Sequence, residues 1–283
     1  MGFSIPSTFT LVGVRTGTFC TAGAAASSTP IRVLLAIAPV ALPTVYLLVL
    51  NHTLSKRTLT GTKISPPDPL PSPFLPLTGA GAGDSAIPAA VLAAAPQLVI
   101  ARERVLSHAV FVADLRPEFA AEEDLDGLLE AYLAAAMQAF SWTPQALLLA
   151  RLYAAALPDP DAFRESFEAP YLRACAFRPG DRVCGVYVVR ARREGRAVLD
   201  LSPPKGWKGP LVKGALEVGF ERAAGEDSEQ VRFVNETVLW RRKDESATVL
   251  EGRVGRWLHK LMACWLVVRG VEAVMDGRAR GGS

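Results

Sequence analysis

The stretch FVNETVLWRR, from Phe233 to Arg242, alternates polar side chains with large apolar ones. Alternate side chains of an extended strand share a face. One face of such a strand carries Phe233, Asn235, Thr237 and Leu239. An amide beside an apolar wall could orient a polar group of an apolar ligand, polarise a carbonyl or help to shift a proton. We predict that these four residues bind a ligand, and Asn235 is also a candidate catalytic residue.

Four further residues complete the predicted site. Glu217 and His259 are candidate catalytic groups, because a carboxylate or an imidazole can move protons. Tyr187, on an earlier predicted strand, and Trp257, close to His259, are predicted to line the same ligand site. Trp257 also has an ordinary explanation as a core anchor. For His259, beside Lys260 on a predicted helix edge, the sequence favours a solvated side chain.

The polar residues of these strands also allow a purely structural interpretation, which the sequence favours. Glu217 and Glu221 share one face of their predicted strand. Pairing with the next strand would bring these carboxylates to Arg232 or Arg241. Cross-strand pairs of this kind contribute roughly 0.2–1 kcal/mol each.

N-glycosylation sequons begin at Asn51 and Asn235. Asn235 has apolar neighbours on both faces of its predicted strand, where a bulky glycan is hard to accommodate. Asn51 adjoins a predicted membrane segment and is too close to it for glycosylation. We rank Asn235 first as a strand residue, second as a ligand residue and third as a sugar acceptor.

The sequence lacks the motifs that mark several classes of enzyme and binding protein. It has no GxSxG, GxGxxG or P-loop pattern, and its three histidines form no HxxxH or HExxH pattern, so neither a metal nor a nucleotide cofactor is expected. The net charge of +3 comes without a dense basic run, which argues against nucleic acid. The four cysteines show no regular spacing, and Cys175 and Cys184 are expected as free thiols, with a disulfide between them as the alternative.

The N-terminal part differs in composition from the rest of the chain, and Asp68 is its first acidic residue. Residues 31–50 form an apolar run of the length that spans a bilayer, preceded by a disordered tail at residues 1–30. A buried core helix is the alternative, which two prolines in the run disfavour. We predict a single-pass protein of the endoplasmic reticulum with a cytosolic C-terminal domain. The acid-free, Ser- and Thr-rich start also fits a mitochondrial transit peptide.

The remaining chain divides by its periodicity. Residues 51–88 are Pro- and Gly-rich and are predicted to be a linker. Residues 89–167 form a helical subdomain, with one helix from Glu122 to Phe140 and a next helix capped by Thr143 and running to about Leu157.

Residues 168–276 are predicted to be an antiparallel sheet closed by a C-terminal helix, and residues 277–283 a disordered tail. The predicted strands are Val183–Ala191, Arg196–Leu201, Leu211–Arg222 and Glu229–Arg242, with a further short edge strand or lead-in at residues 248–251. The last predicted element is a helix from Arg253 to Met275. Helices, then a meander of strands, then a long helix define an α+β fold.

This element order resembles the helix-grip fold of START and Bet v1-like proteins, in which a curved sheet wraps a C-terminal helix around an apolar cavity. The phrases FRPGDRVCGVYVVR, NETVLWRR and GRWLHKLMACWLVVRGVEAV resemble membrane-anchored proteins of fungal secondary-metabolite gene clusters for polyketide and polyketide–amino-acid products. Some such pathways need small non-redox proteins for cyclisation. The resemblance names no catalytic motif.

Two hypotheses of function follow. In the first, the protein is a membrane-anchored accessory protein that binds an apolar polyketide-type intermediate and assists its cyclisation as a non-redox cyclase or isomerase. In the second, it is a non-catalytic lipid- or metabolite-binding protein, or a scaffold that tethers other pathway enzymes at the membrane. The expected partners are a membrane, an apolar small molecule and other pathway enzymes.

Overall fold

The computed structural model describes residues 29–65, 88–94, 97–120, 125–153, 157, 159–193, 195–204, 206–207, 212–222 and 229–275. Its contacts divide the chain into two units, residues 1–47 and residues 48–283. The predicted N-terminal tail was residues 1–30, of which residues 1–28 lie outside the described residues and residues 29 and 30 are helical. The predicted tail at residues 277–283 and the proline-rich part of the predicted linker also lie outside the described residues.

The first helix, α1, runs from Thr29 to Ser55 and passes from the first unit into the second. The sequence predicted a transmembrane helix at residues 31–50, and these residues are helical. Among the described residues, no helix has the length and apolar character that crossing a membrane requires.

Eight strands of the described chain form one antiparallel sheet. They are β1 (Thr58–Ser65), β2 (Leu98–Ser107), β3 (Val110–Phe111), β4 (Arg182–Val183), β5 (Tyr187–Arg193), β6 (Arg196–Leu201), β7 (Lys213–Arg222) and β8 (Gln230–Arg242). The order across the sheet is β1-β2-β8-β7-β6-β5-β4, and β3 pairs with β8. An early strand, β2, therefore lies beside the last strand, β8.

The further helices are α2 (Ala89–Ala93), α3 (Pro117–Ala120), α4 (Leu125–Ser141), α5 (Pro144–Leu148), α6 (Pro160–Glu165), α7 (Ala169–Ala174) and α8 (Arg253–Val274). Helices α4 and α8 pack on each other, and both contact the sheet. The prediction of an α+β fold with an antiparallel sheet and a C-terminal helix is confirmed.

Local signals in the sequence explain several helix boundaries. The side chain of Thr143 accepts a hydrogen bond from the amide of Ala146, and Pro144 takes the first helical position, as expected of an N-cap followed by proline. The helix predicted to run to about Leu157 is α-helical to Leu148 and continues as a π-helix over Leu149–Tyr153, and residues 154–156 lie outside the described residues.

The segment predicted to be a linker contains a strand that the sequence analysis missed. Thr58–Ser65 forms β1 and pairs along its whole length with β2. The side-chain hydroxyl of buried Thr58 donates to the carbonyl oxygen of Leu54, which joins the end of α1 to the start of β1. The sequence TLTGTKIS carries mostly polar residues because a strand at the sheet edge buries few side chains.

The strand meander follows the predicted alternation. The turn between β5 and β6 contains Gly195 at φ 68°, a backbone conformation that glycine adopts readily. In β7 the side chains of Leu216, Val218 and Phe220 are buried. The proposed edge strand at residues 248–251 is instead a turn, in which the amide of Glu251 donates to the carbonyl oxygen of Thr248.

Aromatic side chains fill the space between the sheet and α4. The ring centroids of Tyr132 and Phe233 are 4.6 Å apart, and those of Phe220 and Phe233 are 6.0 Å apart. Helix α8 approaches closely at Gly270, where an added Cβ would lie 2.4 Å from the Tyr132 ring. The antiparallel pairing of α4 and α8 brings the end of α4 to the first half of α8, and this position defines the site below.

Candidate functional site

A small cavity lies between the sheet and the helices α4 and α8. Its lining comes from Met137 and Phe140 of α4, Tyr187 of β5, Leu216 of β7, Asn235 and Thr237 of β8, and His259, Met262, Ala263 and Leu266 of α8. Its volume is about 20 Å³, the space of a single water-sized group. Most of the wall is apolar, and the polar groups come from two strands and one helix.

The alternation of β8 places Asn235 and Thr237 on this wall. Because β8 is flanked by β2 and β7, both residues sit in the interior of the sheet, and they are 3% and 9% exposed. The Oδ1 atom of Asn235 is buried and has no hydrogen-bond partner in the protein. A buried polar atom without a partner costs about 1–3 kcal/mol, so this atom calls for a donor from a ligand or a water molecule.

A buried acid accompanies the histidine of the cavity. Glu103 of β2 lies opposite Thr237 in the strand register, on the same side of the sheet. It is 1% exposed, and its Oε1 atom lies 2.7 Å from Nδ1 of His259, whose side chain is 13% exposed. The second carboxylate oxygen, Oε2, is buried without a partner.

This contact determines how the imidazole can react. With Nδ1 bonded to Glu103, the nitrogen Nε2 is the one that can serve a ligand. A carboxylate on Nδ1 orients the ring and stabilises the protonated imidazole, as in other acid–histidine pairs. The pair can therefore accept and return a proton.

The tyrosines of this region keep their protons. Burial raises the pKa of Tyr187 and the pKa of Tyr132, because the charged phenolate is poorly solvated in the interior. Tyr187 lines the cavity, and its ring meets Phe140 edge-on with centroids 5.6 Å apart. Its neutral hydroxyl is therefore a hydrogen-bond donor at neutral pH.

The structure brings four of the sequence-predicted residues to the cavity: Tyr187, Asn235, Thr237 and His259. Phe233 instead packs in the aromatic cluster with Tyr132, and Leu239 packs with Ala101 and Leu250. Trp257 is partly buried on α8 and does not belong to the described lining.

Glu217, a candidate catalytic residue of the sequence analysis, lies on the opposite face of the sheet from Asn235 and does not line this cavity. Its carboxylate pairs with Arg196, which also binds Glu221 at 3.0 Å. Glu221 further binds Arg104 at 2.8 Å. The expected cross-strand ion pairs therefore exist on this outer face.

The partners of these ion pairs differ from the predicted ones. Arg241, one predicted partner, binds Glu251 in the turn before α8. Glu236 is also buried on this outer face, 3.6 Å from Arg102. Desolvation raises the pKa of Glu236, and the nearby Arg102 opposes this shift.

The prediction of a solvated His259 is wrong, and Glu103 was missed. The sequence around Glu103 reads LVIARERVLS, and the alternation of Ala101, Glu103 and Val105 marks one face. Ala101 and Val105 are almost fully buried, so this alternation was the available signal that Glu103 is buried too. Its partner lies 156 residues away in the sequence, which no local pattern reveals.

The structure also describes the cysteines and the sequon at Asn235. Cys175, Cys184 and Cys264 are free thiols, as expected for the first two, and burial raises the pKa of Cys175 to about 11. In the folded protein a glycan cannot reach Asn235, because its side chain is buried. Among the described residues, no group of three His, Cys, Asp or Glu side chains could hold a metal ion.

A comparison of the chain with protein-family models, curated proteins and solved structures finds no significant match. The geometry of the site therefore provides the argument for function.

Proposed function

We propose that the protein binds an apolar small molecule of polyketide type in the cavity between β8 and α8, as an accessory protein of secondary-metabolite biosynthesis. The observation that carries this proposal is Asn235, whose buried Oδ1 atom has no protein partner although its residue lines a mostly apolar cavity. Ligand sites combine an apolar wall with a few well-placed polar groups.

The chain topology supports a site at this position. Strand β2 lies next to β8, helices α3 to α7 come between β3 and β4, and α8 packs against the sheet and α4. The helix-grip fold, which the element order of the sequence resembles, encloses an apolar cavity between its sheet and its last helix. We therefore propose the same general use for the space beside α8.

The cavity must enlarge to take such a ligand, because about 20 Å³ holds only one water-sized group. Met137 of α4 and Met262 of α8 both line the cavity. Methionine side chains are flexible and refill irregular gaps easily. Binding would therefore proceed by displacement of these two side chains and of any water at Asn235.

The biosynthetic context of the proposal comes from the resemblance of the C-terminal sequence to fungal cluster proteins. The cyclisation of a bound precursor fits a site that has acid–base groups and an apolar wall. A strain that lacks the gene should accumulate an uncyclised precursor of unchanged mass, and the purified protein should convert it. A fall in titre alone, without such a precursor, would favour the non-catalytic alternative.

The test of binding is a fluorescence titration of the full chain with cis-parinaric acid, an apolar polyene. Leu266→Trp fills the cavity, and Leu148→Trp makes the same exchange at an exposed position. We expect Leu266→Trp to weaken binding at least about tenfold, which corresponds to 1.4 kcal/mol, and Leu148→Trp to leave it unchanged. Equal affinities for the two variants would refute binding in this cavity.

Attachment to a membrane, with the C-terminal unit on the cytosolic side, remains part of the proposal. Helix α1 supports it by exposing large apolar side chains at Leu42, Val45, Tyr46, Leu48 and Val49. Exposed apolar surface of this kind is typical of contact with lipid or protein. Recovery of the full chain in the soluble fraction of a cell lysate, away from membranes, would contradict this part.

A further inference from the structure

Glu103 and His259 form a buried pair that simple ligand binding does not require. Glu103 has one carboxylate oxygen on the imidazole and the other without any partner. A buried acid that served only structure would gain most from hydrogen bonds to both oxygens. The pair also stands beside Thr237 on β8, at the wall of the cavity.

We propose that His259, positioned by Glu103, transfers a proton between carbon atoms of the ligand in the cavity. This inference rests on the proposed binding function and adds a reaction class to it. His259 is the catalytic residue because it lines the cavity. Glu103 is a positioning residue that acts through Nδ1 of the imidazole.

The geometry assigns the direction of the transfer. Oε1 of Glu103 lies 2.7 Å from Nδ1 of His259, and an ionised carboxylate can only accept a hydrogen bond. With the Nδ1 proton held by this carboxylate, the lone pair of neutral His259 lies on Nε2. When Nε2 takes a proton, the negative charge of Glu103 stabilises the imidazolium that forms. The same nitrogen can then return the proton, so the pair needs no metal and no redox partner for this step.

The substrate class is a β,γ-unsaturated carbonyl compound, whose acidic C–H bond lies between the carbonyl group and a carbon–carbon double bond. His259 removes this proton, the C–H electron pair forms a carbon–carbon double bond, and the carbonyl electrons move onto oxygen. The resulting enolate oxygen can accept hydrogen bonds from the hydroxyls of Thr237 and Tyr187, both on the cavity wall. The imidazolium then returns the proton to the γ-carbon of this dienolate. The oxygen electrons re-form the carbonyl, the double bond moves to the α,β position, and the product is an isomer of unchanged mass.

A model reaction tests the base without knowledge of the natural ligand. Nitrobenzisoxazole loses a ring proton to a base, the C–H electron pair forms a nitrile, and the N–O bond breaks to leave a coloured phenolate. We expect the full chain to catalyse this reaction, and His259→Gln to lower the rate about a hundredfold. Glu103→Gln should lower it about tenfold or more.

The matched control is His108→Gln, which makes the same exchange at an exposed histidine. This variant should keep the wild-type rate. Equal rates for wild type and His259→Gln would overturn the proposal. Binding of cis-parinaric acid separates the two proposals: if the wild type binds it but shows no His259-dependent rate, proton transfer fails and binding stands. If the wild type does not bind it, the proposed function fails.

The positioning role of Glu103 has a spectroscopic test that does not depend on catalytic activity. NMR of the labelled imidazole nitrogens reports which nitrogen of neutral His259 carries the proton. We expect the Nδ1 proton in the wild type and a shift toward the Nε2 form in Glu103→Leu, which removes the acceptor. A wild-type His259 with its proton on Nε2 would contradict the proposed geometry.

Discussion

The hydroxyl of Tyr132 offers a sharp test of how unpaired polar atoms affect this fold. The side chain is 0% exposed, and its oxygen has no hydrogen-bond partner in the protein. Tyr132→Phe removes this oxygen and keeps the ring on Phe233, whose centroid lies 4.6 Å away. We therefore expect the variant to be more stable than the wild type.

The magnitude follows from two opposing contributions. Loss of an unpaired buried polar atom gains about 1–3 kcal/mol. The void left by the oxygen atom, on the order of 10 Å³, lowers the stability by only about 0.2 kcal/mol at ~24 cal/mol per Å³. The net gain of about 1 kcal/mol or more should raise the melting temperature by about 2 °C or more.

The matched control is Tyr171→Phe, because the Tyr171 hydroxyl donates to the carbonyl oxygen of Arg182 at 2.8 Å. Loss of that hydrogen bond should lower the free energy of unfolding by about 1 kcal/mol. The assay is urea unfolding of the full chain, followed by tryptophan fluorescence. If Tyr132→Phe were destabilising like Tyr171→Phe, the reasoning about unpaired atoms would be refuted.

The raised pKa of Tyr132 adds a pH dependence to this prediction. The pKa of Tyr132 in the folded protein lies above the ordinary value of 10.0. Between these two pKa values only the unfolded state loses the phenolic proton, so the free energy of unfolding is unaffected by this group below pH 10.0 and falls as the pH rises toward the folded pKa. The alkaline loss of stability should therefore be smaller in Tyr132→Phe. An identical alkaline decline in both proteins would contradict this cause.

Two further predictions concern stability. The hydrogen bond from Arg241 holds the pKa of Glu251 at about 2, below the ordinary 4.5. This ion pair therefore stabilises the fold fully above pH 4.5, and its contribution is lost as the pH falls toward 2. Glu251→Gln should flatten this acid decline in urea unfolding, and an unchanged decline would exclude the pair as its cause. Gly270→Ala places a Cβ 2.4 Å from the Tyr132 ring, and overpacking of about 1–3 kcal/mol should outweigh the gain of up to ~1 kcal/mol in helix propensity. An increase in melting temperature would show that α4 and α8 do not pack as described.

Local patterns in the sequence predicted much of the C-terminal fold. Alternation of apolar residues predicted β7 and β8, and the Thr143–Pro144 cap predicted the start of α5. The long apolar face of α4 predicted its helix. These elements were accessible because periodicity and capping depend only on near neighbours along the chain.

Elements that depend on distant partners were missed. Strand β1 has a polar sequence, and its pairing with β2 rather than its own composition makes it a strand. The π-helical turn at Leu149–Tyr153 likewise has no simple sequence signal. For β1, pairing with a distant strand overrides local preference.

The site was only partly accessible from the sequence for the same reason. The alternation in β8 indicated that Asn235 and Thr237 share a face, and the structure places both on the cavity wall. The contact of Glu103 with His259 depends on the register of β2 against β8 and on the rotation of α8. Neither quantity can be derived from a single sequence.

The most direct test of the central claim is the position of a bound ligand. A crystal structure of the full chain with a brominated fatty acid would locate the bromine atoms by anomalous scattering. The account predicts a bromine peak in the space between Asn235, His259 and Met262, and no such peak in Leu266→Trp. Ordered bromine only on the outer face of the sheet or along α1 would contradict it.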